Sequence, residues 1–179
     1  MPTTTLRHAS VDSPIGELLL VSDGYALHGL YMQAGRKPMT IAPGWKHDPS
    51  ALADPRAQLT EYFAGERTSF NLELVMHGTM FQRRVWRALQ DIPYGQTISY
   101  CALARRLEQP SAARAVGLAN GRNPLSVIVP CHRVIGANGT LTGYGGGTER
   151  KRLLLDLETS ATAARSQHRR SSWPPGLTN

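Results

Sequence analysis

Cysteine is scarce in this 179-residue chain: only Cys101 and Cys131 are present. Two cysteines cannot make a disulfide scaffold, and with scattered histidines they fall short of a four-ligand zinc set at any standard spacing. No structural metal is therefore expected, and both thiols are expected to be free. No apolar run approaches the roughly 20 residues that a bilayer-spanning helix requires. The opening MPTTTLRHAS lacks the charged-then-apolar pattern of an export signal. The expectation is a soluble, cytoplasmic protein with no membrane partner. A hydrophobic content of 41% is enough for one good core or two small packed units.

Acidic residues are the other shortage, and it is local. Residues 80–152 hold three Asp and Glu against eleven Lys and Arg, a net +8, whereas residues 1–79 hold eight against six. Ten of those eleven cations are Arg, whose planar fork suits phosphate and base edges. A polyanion partner and a merely soluble basic surface both fit that charge.

Along the chain, LRHASV, ELLLVS and LHGLYM alternate between the turn signals SPIG and SDGY, which predicts an antiparallel meander. Residues 33–52 read as loop, 54–64 as a helix, and FNLEL at 70–74 as a further strand. Thr79 then caps a helix through Phe81, Val85, Trp86 and Leu89. Ser99 caps a second, YCALARRLEQ, in which Cys101 is expected to be packed. After Pro110 and Ser111 comes AARAVGLAN, so that two short helices with a tight joint make a helix-turn-helix pattern. Many packed helical hairpins share that pattern. VIVPCHRVI at 127–135 is too short and too β-branched for a helix and is read as an extended segment carrying Cys131, followed by an Asn138-Gly139 turn. GYGGG at 143–147 is a loop and TERKRLLLDLE a closing helix. From Thr159 onward the composition reads as a disordered tail.

Cysteine attacks only as thiolate, so it needs a base or a positive field nearby. Cys131 is followed directly by His132 and Arg133. In a strand, neighbouring side chains point to opposite faces, so a water or a local bend must link His132 to the sulfur. A buried structural cysteine is the competing reading.

The stretch from Ser99 to Glu158, with its RAVG helix, NP before the extended segment, PCHRV core and GYxGG loop in order, resembles the methylated-DNA-protein-cysteine S-methyltransferases, which repair 6-O-alkylguanine. With FQRRVWRALQDIPYGQT the resemblance covers residues 80–158, and the earlier α/β meander fits that family's amino-terminal domain. It implies an α+β fold: an N-terminal α/β domain over 1–78, a mostly helical, winged-helix-like domain over 79–160 with a short strand carrying the cysteine, and a tail over 161–179. It implies that Cys131 accepts the alkyl group in a single-turnover reaction, and that His132 and Glu158 take the thiol proton through a water. Tyr100 would help rotate the nucleotide and hydrogen-bond the guanine, Asn123 would hold the site's hydrogen bonds together, and Arg114 would fill the gap left by the extruded base.

Flipping is required because the carbon to be attacked must line up with sulfur and departing oxygen, and it costs a few kcal/mol. Pro130, Val134, Tyr144 and Gly145 are expected to line the pocket, the small Gly145 leaving room for groups beyond methyl. Arg105, Arg106 and Arg122 are candidates for phosphate contacts. The implied partner is double-stranded DNA carrying 6-O-alkylguanine, bound by a monomer, with cooperative assembly on DNA left open. The zinc ligands of some family members are absent, and the basic tail has no counterpart. Two other readings compete: a sequence-reading DNA regulator and a papain-like hydrolase. The first wants base-reading side chains where α-helical Ala and Gly stand, a composition suited to the minor groove; the second wants a distant histidine.

Overall fold

The structure, a computed structural model, describes residues 5–34 and 38–171. Three strands form the expected meander: β1 (Arg7–Val11), β2 (Leu18–Ser22) and β3 (Leu27–Met32), paired antiparallel in sequence order. All five residues of β2 are buried, because the middle strand is covered on both faces and has no solvent side to alternate toward. The 33–52 stretch, read as loop, contributes a two-residue strand β4 (Lys46–His47) that pairs parallel with β1 and completes the order β3-β2-β1-β4. FNLEL does not form a strand. It makes one bridge, Leu27 to Leu74, because Leu27 exchanges hydrogen bonds with Glu73 and Val75 and the pairing goes no further.

Helix α1 (Ala53–Phe63) packs Leu59 and Tyr62 inward. Helix α2 (Met80–Gln90) starts at a full capping box, Thr79 and Gln82 each satisfying the other's backbone N–H. The two-residue β5 (Ile98–Ser99) leads into α3 (Tyr100–Arg106), whose first turn is capped by Ser99. That helix is three residues shorter than the sequence predicts. Pro110 pushes the residue before it out of helical geometry, and Glu108 turns the chain at φ 58°. A 3₁₀ turn over Pro110–Ala112 then opens α4 (Ala113–Gly121). Trp86 locks α2 to α4 by donating its indole N–H to the Ala119 carbonyl at 2.9 Å.

The extended reading of 127–135 is corrected. Cys131–Arg133 form a 3₁₀ turn, closed by Arg133 N–H on the Pro130 carbonyl, and only Val134–Ile135 form a strand, β6, parallel to β5. Just upstream, Val127 is held at φ 72°, a strained conformation for a β-branched residue.

Helix α5 (Thr148–Ser171) runs past Thr159, where the sequence reading begins the disordered tail. Ala161, Ala163 and Ala164 are strong helix formers, and Arg165 ties this stretch to α1's end through the Gly65 carbonyl at 2.7 Å. Residues 172–179 of the expected tail lie outside the described residues. A single cluster of buried apolar side chains joins the sheet (Leu20, Leu30) to α1 (Tyr62), α2 (Trp86) and α4 (Val116), with Cys131 at its edge.

Candidate active site

Cys131 is 4% exposed at the head of its 3₁₀ turn. Burial pushes its thiol pKa up; the Asn123 amide, the Lys151 charge and the backbone N–H groups of Cys131 and His132 pull the other way without cancelling it. The resting sulfur is therefore a protonated thiol, and attack requires a base.

His132 is fully buried and its Nε2 lies 2.8 Å from Glu158 Oε1. Burial lowers the imidazole pKa, and the Glu158 carboxylate raises it less. For the Glu158 carboxyl, burial acts to raise the pKa, but hydrogen bonds from His132 and Arg133 and their charges outweigh it and leave it at about 2. An ionised carboxylate only accepts, so the proton between the two belongs to His132 Nε2. Nδ1 then carries a bare lone pair, and that atom is buried with no hydrogen-bond partner among the described residues. A neutral imidazole with one nitrogen oriented by a carboxylate and the other free is equipped to accept a proton.

Glu158 holds more than His132. Its oxygens also accept from Arg133 Nε and Nη2, from the Tyr62 hydroxyl at 2.7 Å and from the Gly95 N–H at 3.0 Å. Glu158 is therefore a buried carboxylate with every oxygen engaged. Arg133 and Tyr62 escaped the sequence reading. Arg133 stands beside the cysteine in sequence without an assigned partner, and Tyr62 lies in the 54–64 helix, 96 residues from Glu158.

Two asparagines brace the turn. Asn123 Nδ2 donates to the Val129 carbonyl at 2.7 Å while its Oδ1 accepts from Leu125 N–H, pinning the strained loop that carries Val127. Asn120, buried and not singled out from sequence, donates to the Cys131 carbonyl at 3.2 Å.

A cavity of about 630 Å³ opens onto Cys131. Tyr144 and Gly145 line it as expected, and Met32 and Met39 reach it from the first half of the chain. Pro130 and Val134 do not. Pro130 faces a separate cavity of about 340 Å³ with Arg133, and Val134 is 0% exposed in the core, because the 3₁₀ turn reorients both relative to an extended strand.

Lys151, also missed from sequence, is fully buried and donates to the carbonyls of Val134 and Thr142, fastening the glycine loop to β6. Its pKa falls to about 8 under desolvation. Tyr100 donates to the same Thr142 carbonyl at 3.1 Å and faces the Lys151 ammonium. Gly143 is required at this junction: φ is 66°, and a Cβ there would lie 2.7 Å from the Tyr100 hydroxyl.

On the outer surface, Arg105, Arg106, Arg114 and Arg122 are all exposed. Arg114, Ala115, Leu118, Gly121 and Arg122 make up the exposed side of α4. Cys101, expected to be packed, is exposed in the first turn of α3. Among the described residues no group of three or more potential ligands is placed to hold a metal, and no helix is long and apolar enough to cross a membrane.

Residues 80–160 match the family described as 6-O-methylguanine DNA methyltransferase, DNA binding domain, and residues 6–76 match its ribonuclease-like domain. The methylated-DNA--protein-cysteine methyltransferase of Mycobacterium bovis is 52% identical over 162 residues, spanning 89% of this chain and 96% of that one. The protein of that name from Methanosarcina acetivorans is 47% identical over 155 residues, spanning 87% and 99%. The crystal structure of the Mycobacterium tuberculosis protein in complex with DNA is similar at TM-score 0.80 and 53% identity, covering 87% of this chain and 93% of that chain. The Pyrococcus kodakaraensis O6-methylguanine-DNA methyltransferase shares the fold at TM-score 0.57 and 22% identity, with coverage of 86% and 98%.

Proposed function

The chain belongs to the 6-O-methylguanine DNA methyltransferase family, and from that premise we propose that Cys131 is the acceptor of the alkyl group in a reaction that ends after one transfer. The chain is a DNA-binding methyltransferase that repairs DNA by taking an alkyl group from 6-O-alkylguanine. We infer that it works in the cytoplasm.

The observation that carries it is the buried thiol in one turn with a histidine whose tautomer Glu158 fixes. With a 6-O-alkylguanine turned into the 630 Å³ cavity, water is displaced and the sulfur faces the alkyl carbon. The thiol proton passes to His132 Nδ1 by way of a water, and the imidazolium is stabilised by Glu158, which stays ionised throughout. The S–C bond forms as the C–O bond breaks. The electron pair leaves with the guanine oxygen, and the guanine anion takes up a proton from water. The imidazolium gives its proton back to water, so the thiol proton is balanced by the one the guanine gains. A thioether has no route back to thiol within this site, which is why one equivalent is the limit. No cofactor enters the scheme.

Arg114 projects from the exposed side of α4 and is assigned to the gap in the stack; Tyr100, beside Lys151 and Thr142, to guiding the rotating nucleotide; and Asn123 to bracing the acceptor turn. Arg105, Arg106 and Arg122 are assigned to phosphates. The domain division at residues 78 and 79 is retained as a proposal about folding units.

Intact mass before and after incubation with a duplex bearing one 6-O-methylguanine tests the reading. A gain of one methyl per chain, mapped to the peptide containing Cys131, is the expected result. Continued turnover, or no gain, would overturn it.

A further inference from the structure

Tyr62 belongs to α1, 96 residues from the carboxylate it binds. Its hydroxyl donates to Glu158 Oε1 at 2.7 Å, and His132 Nε2 holds that same oxygen at 2.8 Å. All three side chains are 0% exposed, so no solvent relieves the sharing. The phenol ring is fixed among Phe63, Phe70 and Tyr94, with ring centroids 5.3, 5.3 and 5.9 Å away. Core packing alone needs only that ring. The hydroxyl is buried at a cost unless it is hydrogen-bonded, and of the buried acceptors it meets the one that orients the base.

Each hydrogen bond given to a carboxylate stabilises its charge and leaves it a weaker partner for any other proton. We propose that Tyr62 is a positioning residue for the transfer reaction, taking a share of Glu158 Oε1 so that the carboxylate orients His132 without drawing a second proton onto its ring. The inference rests on the reading of His132 as the base. It makes the first half of the chain part of the transfer machinery, since α1 supplies a donor that α2 to α5 do not. Removing the hydroxyl leaves Oε1 more basic, favours imidazolium in the resting protein, and occupies Nδ1 before the thiol proton arrives.

The groups that face His132 are few. Glu158 and Lys151 come from α5, Cys131 and Arg133 from its own turn, and Tyr62 and Tyr94 act on it through Glu158. Tyr62→Phe changes the donor and leaves the other charged groups in place.

The test is the ¹H NMR titration of the His132 ring, alongside single-turnover transfer from a duplex carrying one 6-O-methylguanine at several pH values. In Tyr62→Phe the His132 midpoint is expected to rise by about one unit, so that transfer at pH 6 falls by up to ~tenfold while transfer at pH 8.5 stays within about twofold. Should that variant not fold, 3,5-difluorotyrosine at position 62 keeps the ring and donates more strongly, and the midpoint should move down. An unmoved midpoint in the folded protein, or a loss of rate equal at all pH values, overturns the role of Tyr62. Absence of any transfer by the unaltered protein strikes the proposed function instead, and the His132 midpoint still reports on Tyr62.

Discussion

Arg133 closes on Glu158 with Nε and Nη2 at 3.0 and 2.9 Å, the arginine 6% exposed and the glutamate fully buried. Its third nitrogen, Nη1, donates to the Ile92 carbonyl at 2.6 Å, so the fork is anchored as well as paired. With His132, the guanidinium thus keeps the Glu158 carboxylate ionised in the buried site. A buried pair of this kind contributes little over an apolar replacement of both partners, but removing one leaves the other charged and unpaired.

Arg133→Met should therefore destabilise the fold at pH 7 by about 3–5 kcal/mol. Glu158 has a folded pKa of about 2, below its ordinary 4.5. Its contribution to stability is present above pH 4.5 and is lost as pH falls through about 2. In Arg133→Met the carboxyl titrates nearer its ordinary value or above, so the gap between variant and parent should narrow as pH drops. Urea unfolding at pH 7 and pH 4 checks this, and an equal deficit at both would mean that Arg133 acts through packing.

Cys131→Ala and Cys131→Ser should abolish alkyl transfer and leave binding to lesion DNA within about twofold, since only the acceptor is lost and the basic surface is untouched. Mass mapping together with a gel-shift titration measures both. Cys101 is exposed, and is the thiol on which a misassigned label would appear.

Much of this was legible in the residues. The meander, Thr79 and Ser99 as caps, and the paired helices α3 and α4 follow from local chemistry that tertiary packing did not override. The acceptor turn was not legible, because VIVPCHRVI has the β-branched content of a strand. Its bend comes from hydrogen bonds around Pro130 and from Asn123, whose effect depends on three-dimensional closure. Lys151 was invisible for the reverse reason. One lysine in ERKRLLL reads as surface charge, and only the approach of Val134 and Thr142 carbonyls gives its ammonium a buried seat. Glu158 was placed by resemblance, but its five donors come from three separate segments and could not be counted from sequence.

Arg114→Ala should reduce repair of a lesion in duplex DNA at least ~tenfold and leave transfer from the free base nearly unchanged, because the finger's assigned task is to hold the gap in the stack. Equal losses on both substrates would move Arg114 from the DNA to the chemistry or the fold. At Tyr100 the ring packs near Gly117 and the hydroxyl meets Thr142, so Tyr100→Phe should cost less than Tyr100→Ala. Single-turnover rates on both substrates decide each case.

The helix pair α3 and α4 is expected to grip DNA through its phosphates. A protein that must find lesions in any sequence gains from phosphate contacts, which carry no sequence information, and loses from base readout. The exposed side of α4 bears Ala115, Leu118 and Gly121 between Arg114 and Arg122, with no amide or acid to read a base edge, while Arg105 and Arg106 stand exposed at the end of α3. Affinity for unmodified duplex should therefore fall steeply with salt and vary little among unrelated sequences. Replacing Arg105, Arg106 or Arg122 singly by Gln should lower the slope of log affinity against log salt by about one for each true phosphate contact, and weaken all sequences alike. Salt titrations on several duplexes by fluorescence anisotropy measure both quantities. A strong preference for one unmodified sequence, or a slope untouched by all three substitutions, would remove these arginines from the DNA interface.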